Sequence, residues 1–532
     1  MGNKKLQIWL PLLFSIIMIG GMFFGFKLRE NTASGSGFFK ADKKTSLQTI
    51  LDLVKDHYVD PVDLDSLQAN AIDEMMNHLD PHSIYIPASH LAEVNEDLEG
   101  NFTGIGVEFN VFSDTVHVVH VMSGGPSEKA GVQLGDKIIK VNNEVIAGKA
   151  LSTEEIKKKI RGEHGSTVKI MVLRKNEQKE ISIVRGTIPI YAVDAAYMLD
   201  KTTGYIKLNK FSETAYEEFM QSLETLQKNK ITRLVLDLRG NGGGFMNEAV
   251  EIADEFLSGE KLVVYTQGNN VQKREYKCRR PGLFEKGGLV VLVDEASASA
   301  SEVLAGALQD YCRATIIGRR TFGKGLVQEQ YPLNDGSALR LTIARYYTPK
   351  GRSIQRSYVS GREKYFDEIR DRYQNGEVTH LDTSKFANGK VFKTECGDTV
   401  YSGGGITPKI FVGLDTSTLH KSITRLFLSG DLTDFLYNYY TRHMNELNKY
   451  SSPEDFAANY NNLDPVWEEL VIHAAKDSID LKQVSPTDKD FLVKRMKAQL
   501  ARYKWRTKGF YQVANSDDPV IKKAIEVVSK EK

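Results

Sequence analysis

Cysteine is scarce in this chain. Only Cys278, Cys312 and Cys396 occur in 532 residues, and an odd count builds no full disulfide framework. No C-x-x-C, H-E-x-x-H or G-x-S-x-G is present, which removes the thioredoxin-like, zinc-site and nucleophile-elbow readings. An excess of one charge is lacking too. Lys plus Arg is 70 against 69 for Asp plus Glu, a net +1, so no nucleic acid or other polyanion is expected as a partner. There is no internal repeat, and no low-complexity tract beyond the short linker Thr32-Ala33-Ser34-Gly35-Ser36-Gly37. The length fits about three or four folded domains. Neither a metal nor a cofactor is expected.

What is present centres on Ser299 and Lys324. Leu289-Val290-Val291-Leu292-Val293 is a continuous apolar run, the pattern of a strand buried on both faces of an α/β sheet. Ser297 is a good N-cap, and the sequence from Ala298 to Gln309 then reads as helix. Ser299 falls in its first turn, beside free N–H groups and the positive end of the helix dipole. The Ala300 N–H there is a candidate donor to an oxyanion. By itself the segment also reads as a small-residue helix start packed under a strand.

Gly318-Arg319-Arg320-Thr321-Phe322-Gly323-Lys324-Gly325 nearly matches a phosphate-binding loop. The Ser or Thr required after the lysine is Gly325, and Leu326 to Tyr331 reads as strand where that loop needs a helix. A general base suits the segment better. In an extended chain Lys324 and Gln328 point to one side, so the Gln328 amide can hold the lysine amine in line with Ser299. A lysine kept neutral by an apolar pocket can take a serine proton. Leu234-Val235-Leu236-Asp237-Leu238 is a second buried-strand run, followed by Arg239-Gly240-Asn241-Gly242-Gly243-Gly244. Its glycines permit close backbone approach to a substrate, and a plain tight turn is the simpler reading. His57, His78 and His82 are expected in an N-terminal helical stretch as exposed or packed side chains.

Together these segments resemble the carboxyl-terminal processing peptidases, or tail-specific proteases. The match runs through Asp80-Pro81-His82-Ser83-Ile84-Tyr85, the Asp237–Gly244 turn, Thr321-Phe322-Gly323-Lys324-Gly325-Leu326-Val327-Gln328 and Gly403-Gly404-Gly405-Ile406-Thr407-Pro408, covering roughly 47–412. The resemblance implies Ser299 as nucleophile, Lys324 as base and Gln328 as the residue positioning the lysine. The oxyanion donors it implies are Ala300 and a glycine among Gly242, Gly243 and Gly244, with Gly243 and Gly244 preferred. Phe102 to Phe109 resembles the carboxylate-binding loop of a PDZ domain, with Gly104, Ile105, Gly106 and Val107 as tail-binding residues. Ser123–Gly131 and Leu134–Asn142 also match PDZ patterns. In such a domain a peptide's terminal carboxylate meets loop N–H groups, and the peptide adds to the sheet edge.

At the N-terminus Lys4-Lys5 precede an uncharged apolar run from Leu6 to Phe26. That length suits a bilayer span with the bulk of the chain outside the cytoplasm. A cleaved signal peptide is the rival, but no A-x-A precedes the linker. No cysteine ends the run, which argues against a lipoprotein anchor. The expected architecture is multidomain, α+β and α/β: an N-terminal membrane helix or signal segment (1–30), a linker and small helical domain (31–95), a PDZ domain (96–188), an α/β serine-protease core (189–415) and a C-terminal helical region (416–532). Ser422–Tyr440 and Phe491–Arg502 are candidate helices of the last, read as a packing or dimerisation surface. The expected function is a serine endopeptidase of the bacterial inner membrane, single-pass, with its catalytic part on the periplasmic side, or secreted there after signal cleavage. Its substrates would be proteins with free apolar C-termini, and a homo-oligomer or a regulatory partner would be compatible with this reading. The alternative is a catalytically silent PDZ scaffold.

Overall fold

The computed structural model describes residues 4–31, 45–380, 389–415 and 419–531, and the expected linker at 32–37 lies outside them. The chain divides into two units, Met1–Ile72 and Asp73–Lys532. In the first, a 28-residue helix, Lys4–Asn31, carries exposed Trp9, Leu13, Phe14, Ile16 and Phe23. The side chains of Leu10, Leu12 and Phe26 fall outside the described residues. Among the described residues no helix is long and apolar enough to cross a membrane, so the expected span at 6–26 is not carried by this structure. Helix Ser46–His57 follows, with Thr45 Oγ1 accepting from the Gln48 N–H at 3.4 Å.

In the second unit, residues 107–184 form an antiparallel sheet in the order Val107–Phe112, Thr115–Val121, Lys137–Val141, Thr167–Arg174, Glu177–Val184. Alternate residues such as Val168, Ile170 and Val172 face inward and pack on Ile156 and Ile160 of the helix Thr153–Ile160. Ser152 caps that helix reciprocally with Glu155, satisfying donors that a helix start leaves free. Val107–Phe112 is the edge strand of this sheet.

The larger core is a six-stranded sheet, Val193–Met198, Thr203–Leu208, Arg233–Asp237, Gly288–Val293, Thr315–Gly318, Ile410–Phe411, parallel except for the first pair. The expected apolar runs are its central strands. On one face lie the helices Ala215–Lys228, Met246–Asp254 and Ala300–Asp310. The other face is closed by Pro519–Val528, whose Val520, Ile521, Ala524 and Val528 pack on Val235, Val290, Leu292 and Ile317. The helix Pro519–Val528 is therefore part of the core of this sheet, and not only a packing appendage. The rest of the C-terminal region has its own core around Leu470, Leu492 and Met496. The expected helix 422–440 is two helices, Lys421–Ser429 and Asp431–Arg442, broken at Gly430 where φ is 80°.

A second sheet joins Leu326–Pro332 and Ala338–Tyr347 to Leu262–Gln267 and Arg274–Lys277. Ile84–Ile86 pairs with Ala338–Arg340 in it. Residues expected within the small helical domain thus contribute a strand to this second sheet.

Candidate active site

The strand Gly288–Val293 delivers the chain to Ser299, and the following helix begins at Ala300. The sequence expectation placed the cap at Ser297 and Ser299 inside the first turn. Instead Ser299 is itself the cap residue, with φ 55° and ψ −113°. Such a conformation is costly for a residue with a Cβ and persists only where the surroundings impose it. Here the surroundings are visible. Ser297 Oγ donates to Leu238 O at 2.8 Å, the Ala298 N–H donates to Asn241 O at 3.0 Å, and Ser301 Oγ donates to Asn241 O at 2.9 Å. The glycine-rich turn therefore clamps both sides of Ser299.

Within that turn Gly243 has φ 104°, and a Cβ there would meet Ala298 O and Ser299 Cβ, both at 2.8 Å. Only glycine fits. Its N–H, however, donates to Asn241 Oδ1 at 2.9 Å. Gly243 is thus a close-packing residue whose N–H is engaged inside the turn. The N–H groups of Gly244 and Ala300 have no hydrogen-bond partner among the described residues.

The lysine loop is held to the serine by a residue not singled out in the sequence reading. Glu302 is completely buried. Its Oε2 accepts from the Ser299 N–H at 2.9 Å and the Lys324 N–H at 2.8 Å, and its Oε1 accepts from the Gly323 N–H at 2.7 Å and Thr321 Oγ1 at 2.5 Å. Burial still pushes its carboxyl up to about 7. The Tyr346 hydroxyl lies between Ser299 O at 3.0 Å and Lys324 O at 2.5 Å, a second bridge. A glutamate three residues into a helix is a capping signal and could have flagged Glu302. Nothing in the sequence pattern singles out Tyr346.

Lys324 is half-buried, and its Nζ donates to Gln328 Oε1 at 3.0 Å. Burial, helped by the positive Arg340, lowers its amine to about 8. Gln328 Nε2 in turn donates to the His82 carbonyl. That carbonyl is set by the Asp80 turn, where Asp80 Oδ1 accepts from the His82 N–H at 2.8 Å, the Ser83 N–H at 3.0 Å and Thr342 Oγ1 at 3.0 Å. His82 is therefore not on a helix, as expected, but in a turn at the site. Its ring nitrogen is 3.0 Å from Tyr365 Oη, and burial lowers its pKa to about 3. The Gly403–Pro408 segment braces the loop from outside, with the Ile406 N–H donating to Thr321 Oγ1 at 2.6 Å.

Gly104, Ile105, Gly106 and Val107 lie together at the start of the PDZ-like sheet, away from this cluster in sequence. Ile105 is core, and its carbonyl accepts from the Ser127 N–H at 2.9 Å. Gly106 has φ 74°, and Val107 opens the edge strand. Cys312 and Cys396 form a disulfide, and Cys278 is free and buried. Among the described residues the one cluster with metal-ligand spacing is Cys312, Cys396 and Asp398, and its two thiols are spent on that bond.

A strained serine on a helix start, a half-buried lysine and a glycine turn define the class of a hydrolase with an activated serine. Comparisons agree. Residues 202–361 match the model of peptidase family S41, residues 103–184 that of the PDZ domain, and residues 422–506 that of a family of unknown function. The chain is 36% identical over 340 residues to a carboxy-terminal-processing protease of Bartonella bacilliformis, covering 62% of this chain and 76% of the relative. It is 33% identical over 355 residues to the carboxy-terminal processing protease CtpB of Bacillus subtilis, covering 64% and 73%. The solved photosystem II D1 C-terminal processing protease shares 26% identity, over 69% of this chain and 87% of that one, with a TM-score of 0.36. The chain belongs to the carboxy-terminal processing proteases of peptidase family S41 and is a serine-type peptidase with a PDZ domain.

Proposed function

We propose that this peptidase cleaves proteins selected by their C-terminal tails, with Ser299 as nucleophile and Lys324 as general base. The observation that carries the reading is the Glu302 carboxylate, which binds the Ser299 and Lys324 backbone N–H groups at once and so fixes the two segments in register. Neutral Lys324 takes the Ser299 proton as Oγ attacks the scissile carbonyl, and protonated Lys324 then donates to the leaving amine. Water attacks the acyl-enzyme with the same lysine as base. Gln328, held by the His82 carbonyl, aims the amine. Ala300 and Gly244 offer their N–H groups to the oxyanion. The PDZ domain receives the terminal carboxylate at Gly104–Val107, and the tail lies along the edge strand Val107–Phe112.

We further propose an extracytoplasmic location with the N-terminal helix as anchor. Support comes from the apolar sequence at 6–26, from the lysines Lys4 and Lys5 that flank it, and from the Cys312–Cys396 disulfide, a bond that persists in oxidising compartments. The test is hydrolysis of one peptide with a free or an amidated C-terminus by the wild-type chain and by Ser299→Ala. Loss of all cleavage in the variant and a raised KM for the amide are expected. Retained cleavage in Ser299→Ala would refute the nucleophile, and equal KM values would refute tail selection.

A further inference from the structure

The edge strand of the PDZ sheet does not face open solvent alone. A cavity of about 370 Å³ lies along it, lined by Val107, Glu108, Phe109 and Asn110 on the strand and by Thr153 and Lys157 on the domain's helix. Its remaining wall comes from the C-terminal region, through Gln499, Arg502, Tyr503 and Arg506 of the helix Pro486–Ala514. That helix is docked, not merely adjacent. Arg506 pairs with Glu108, its Nη1 donating to Oε2 at 2.9 Å. Tyr503 packs on Tyr437 of the neighbouring helix Asp431–Arg442, and Tyr437 itself stacks on Phe112 with its hydroxyl donating to Val118 O at 3.1 Å. The helix is broken at Trp505 and Arg506, where φ is 62° at Arg506. A non-glycine residue held there marks a conformation imposed by its contacts.

The charges in this cavity do not balance. Lys157 has Glu154 at 2.6 Å, and Glu108 is taken by Arg506. Arg502 is half-buried; Glu108 and Asp194 feel its charge, but among the described residues it forms no ion pair within 4.0 Å. A guanidinium in a partly desolvated groove offers donors that suit a carboxylate.

We infer that the helix Pro486–Ala514 is a wall of the substrate groove, and that Arg502 selects an acidic side chain in the residues just upstream of the substrate's last one. This rests on the tail-recognition reading above. A tail paired with Val107–Phe112 runs along the cavity with its last residue near Val107 and earlier residues further along the strand. The apolar wall of Val107 and Phe109 receives apolar side chains, and the far wall supplies the Arg502 guanidinium, which no carboxylate among the described residues pairs directly. The C-terminal region would then set which tails are taken, in addition to completing the fold.

The test uses the full chain carrying Ser299→Ala in detergent, and binding of fluorescein-labelled decapeptides with a free apolar C-terminus. Glu, Gln and Lys are placed in turn at the second to fifth positions from the end. At one position the Glu peptide should bind about tenfold tighter than the Gln peptide, a factor that corresponds to ~1.4 kcal/mol. Arg502→Gln should erase that ratio without weakening the Gln peptide, and Arg502→Glu should turn the preference to Lys. A Glu-to-Gln ratio near one at every position, or a ratio that survives Arg502→Gln, overturns the inference while tail binding stands. Equal binding of amidated and free-acid peptides overturns tail recognition and the inference with it.

Discussion

Replacing Lys324 by Met should abolish cleavage and at the same time stabilise the protein near neutral pH. The two effects come from one cause. Burial lowers the Lys324 amine from 10.5 to about 8, so the folded protein holds this proton less tightly than the unfolded chain does. Below pH 8 both states carry the charge, and the folded state bears the full cost of burying it. Between about 8 and 10.5 the unfolded chain binds more protons, so stability rises with pH, and above 10.5 the cost is gone. At about 1.36 kcal/mol per pH unit the cost below pH 8 is about 3 kcal/mol. Met fills similar space without the charge, but leaves Gln328 Oε1 without its donor at 3.0 Å, a loss of roughly 1 kcal/mol. A net gain of roughly 2 kcal/mol at pH 7 remains, shrinking toward pH 10. Calorimetric unfolding of both chains at pH 7 and pH 10 measures it. The wild-type kcat/KM should rise about tenfold between pH 7 and pH 9, as the neutral fraction of a base near 8 grows from about one tenth to about nine tenths. Cleavage by Lys324→Met, or a variant less stable than wild type at pH 7, would refute the role of a lysine kept neutral by burial.

Glu302→Gln should lower kcat by roughly 10- to 100-fold with little change in KM, because an amide offers one acceptor where four donors converge; a KM effect alone would contradict its place as the bridge between the two segments. Gly243→Ala should destabilise the protease core by more than about 2 kcal/mol, since its Cβ would meet Ala298 O at 2.8 Å, and unfolding with an unchanged urea midpoint would contradict the packing seen here. Cys312→Ser with Cys396→Ser should cost roughly 2–4 kcal/mol of stability, and a wild-type Tm insensitive to reductant would show that the bond at Cys312–Cys396 does not form in solution.

Much of the site was legible because its chemistry needs local patterns. The runs at Leu234–Leu238 and Leu289–Val293 read as two-sided buried strands, and each is a central strand of the six-stranded sheet. The spacing from Lys324 to Gln328 placed both side chains on one side, and the structure brings them to 3.0 Å. What escaped was set by distant chain. His82 read as a helical histidine because its neighbours before Asn77 are helical, while its carbonyl is recruited by Gln328, 246 residues further on. Tyr346 is one of two adjacent tyrosines at the end of its strand, and only the strand's pairing brings its hydroxyl between Ser299 and Lys324. That the Asn241 side chain would turn back on the Gly243 N–H was likewise not legible, since no spacing encodes it.

The helix Pro519–Val528 shows how a partner can explain a pattern without being visible in it. Strands as apolar as Gly288–Val293 demand cover on two faces. The helices 215–228, 246–254 and 300–310 supply one face, so a second cover had to exist somewhere in the chain. It comes from the last helix, with Asp518 capping its first turn at 2.7 Å and Pro519 at its start, a signature the sequence carries in plain form. Arg239 ties the same element back to the glycine turn, pairing with Asp518 at 2.7 Å and with the buried Asp237. The strand that precedes the glycine-rich turn is thereby anchored from the C-terminal region. The inserted helices between residues 416 and 518 are held at both ends by the protease, which is what allows the helix Pro486–Ala514 to stand as a fixed wall beside the PDZ groove.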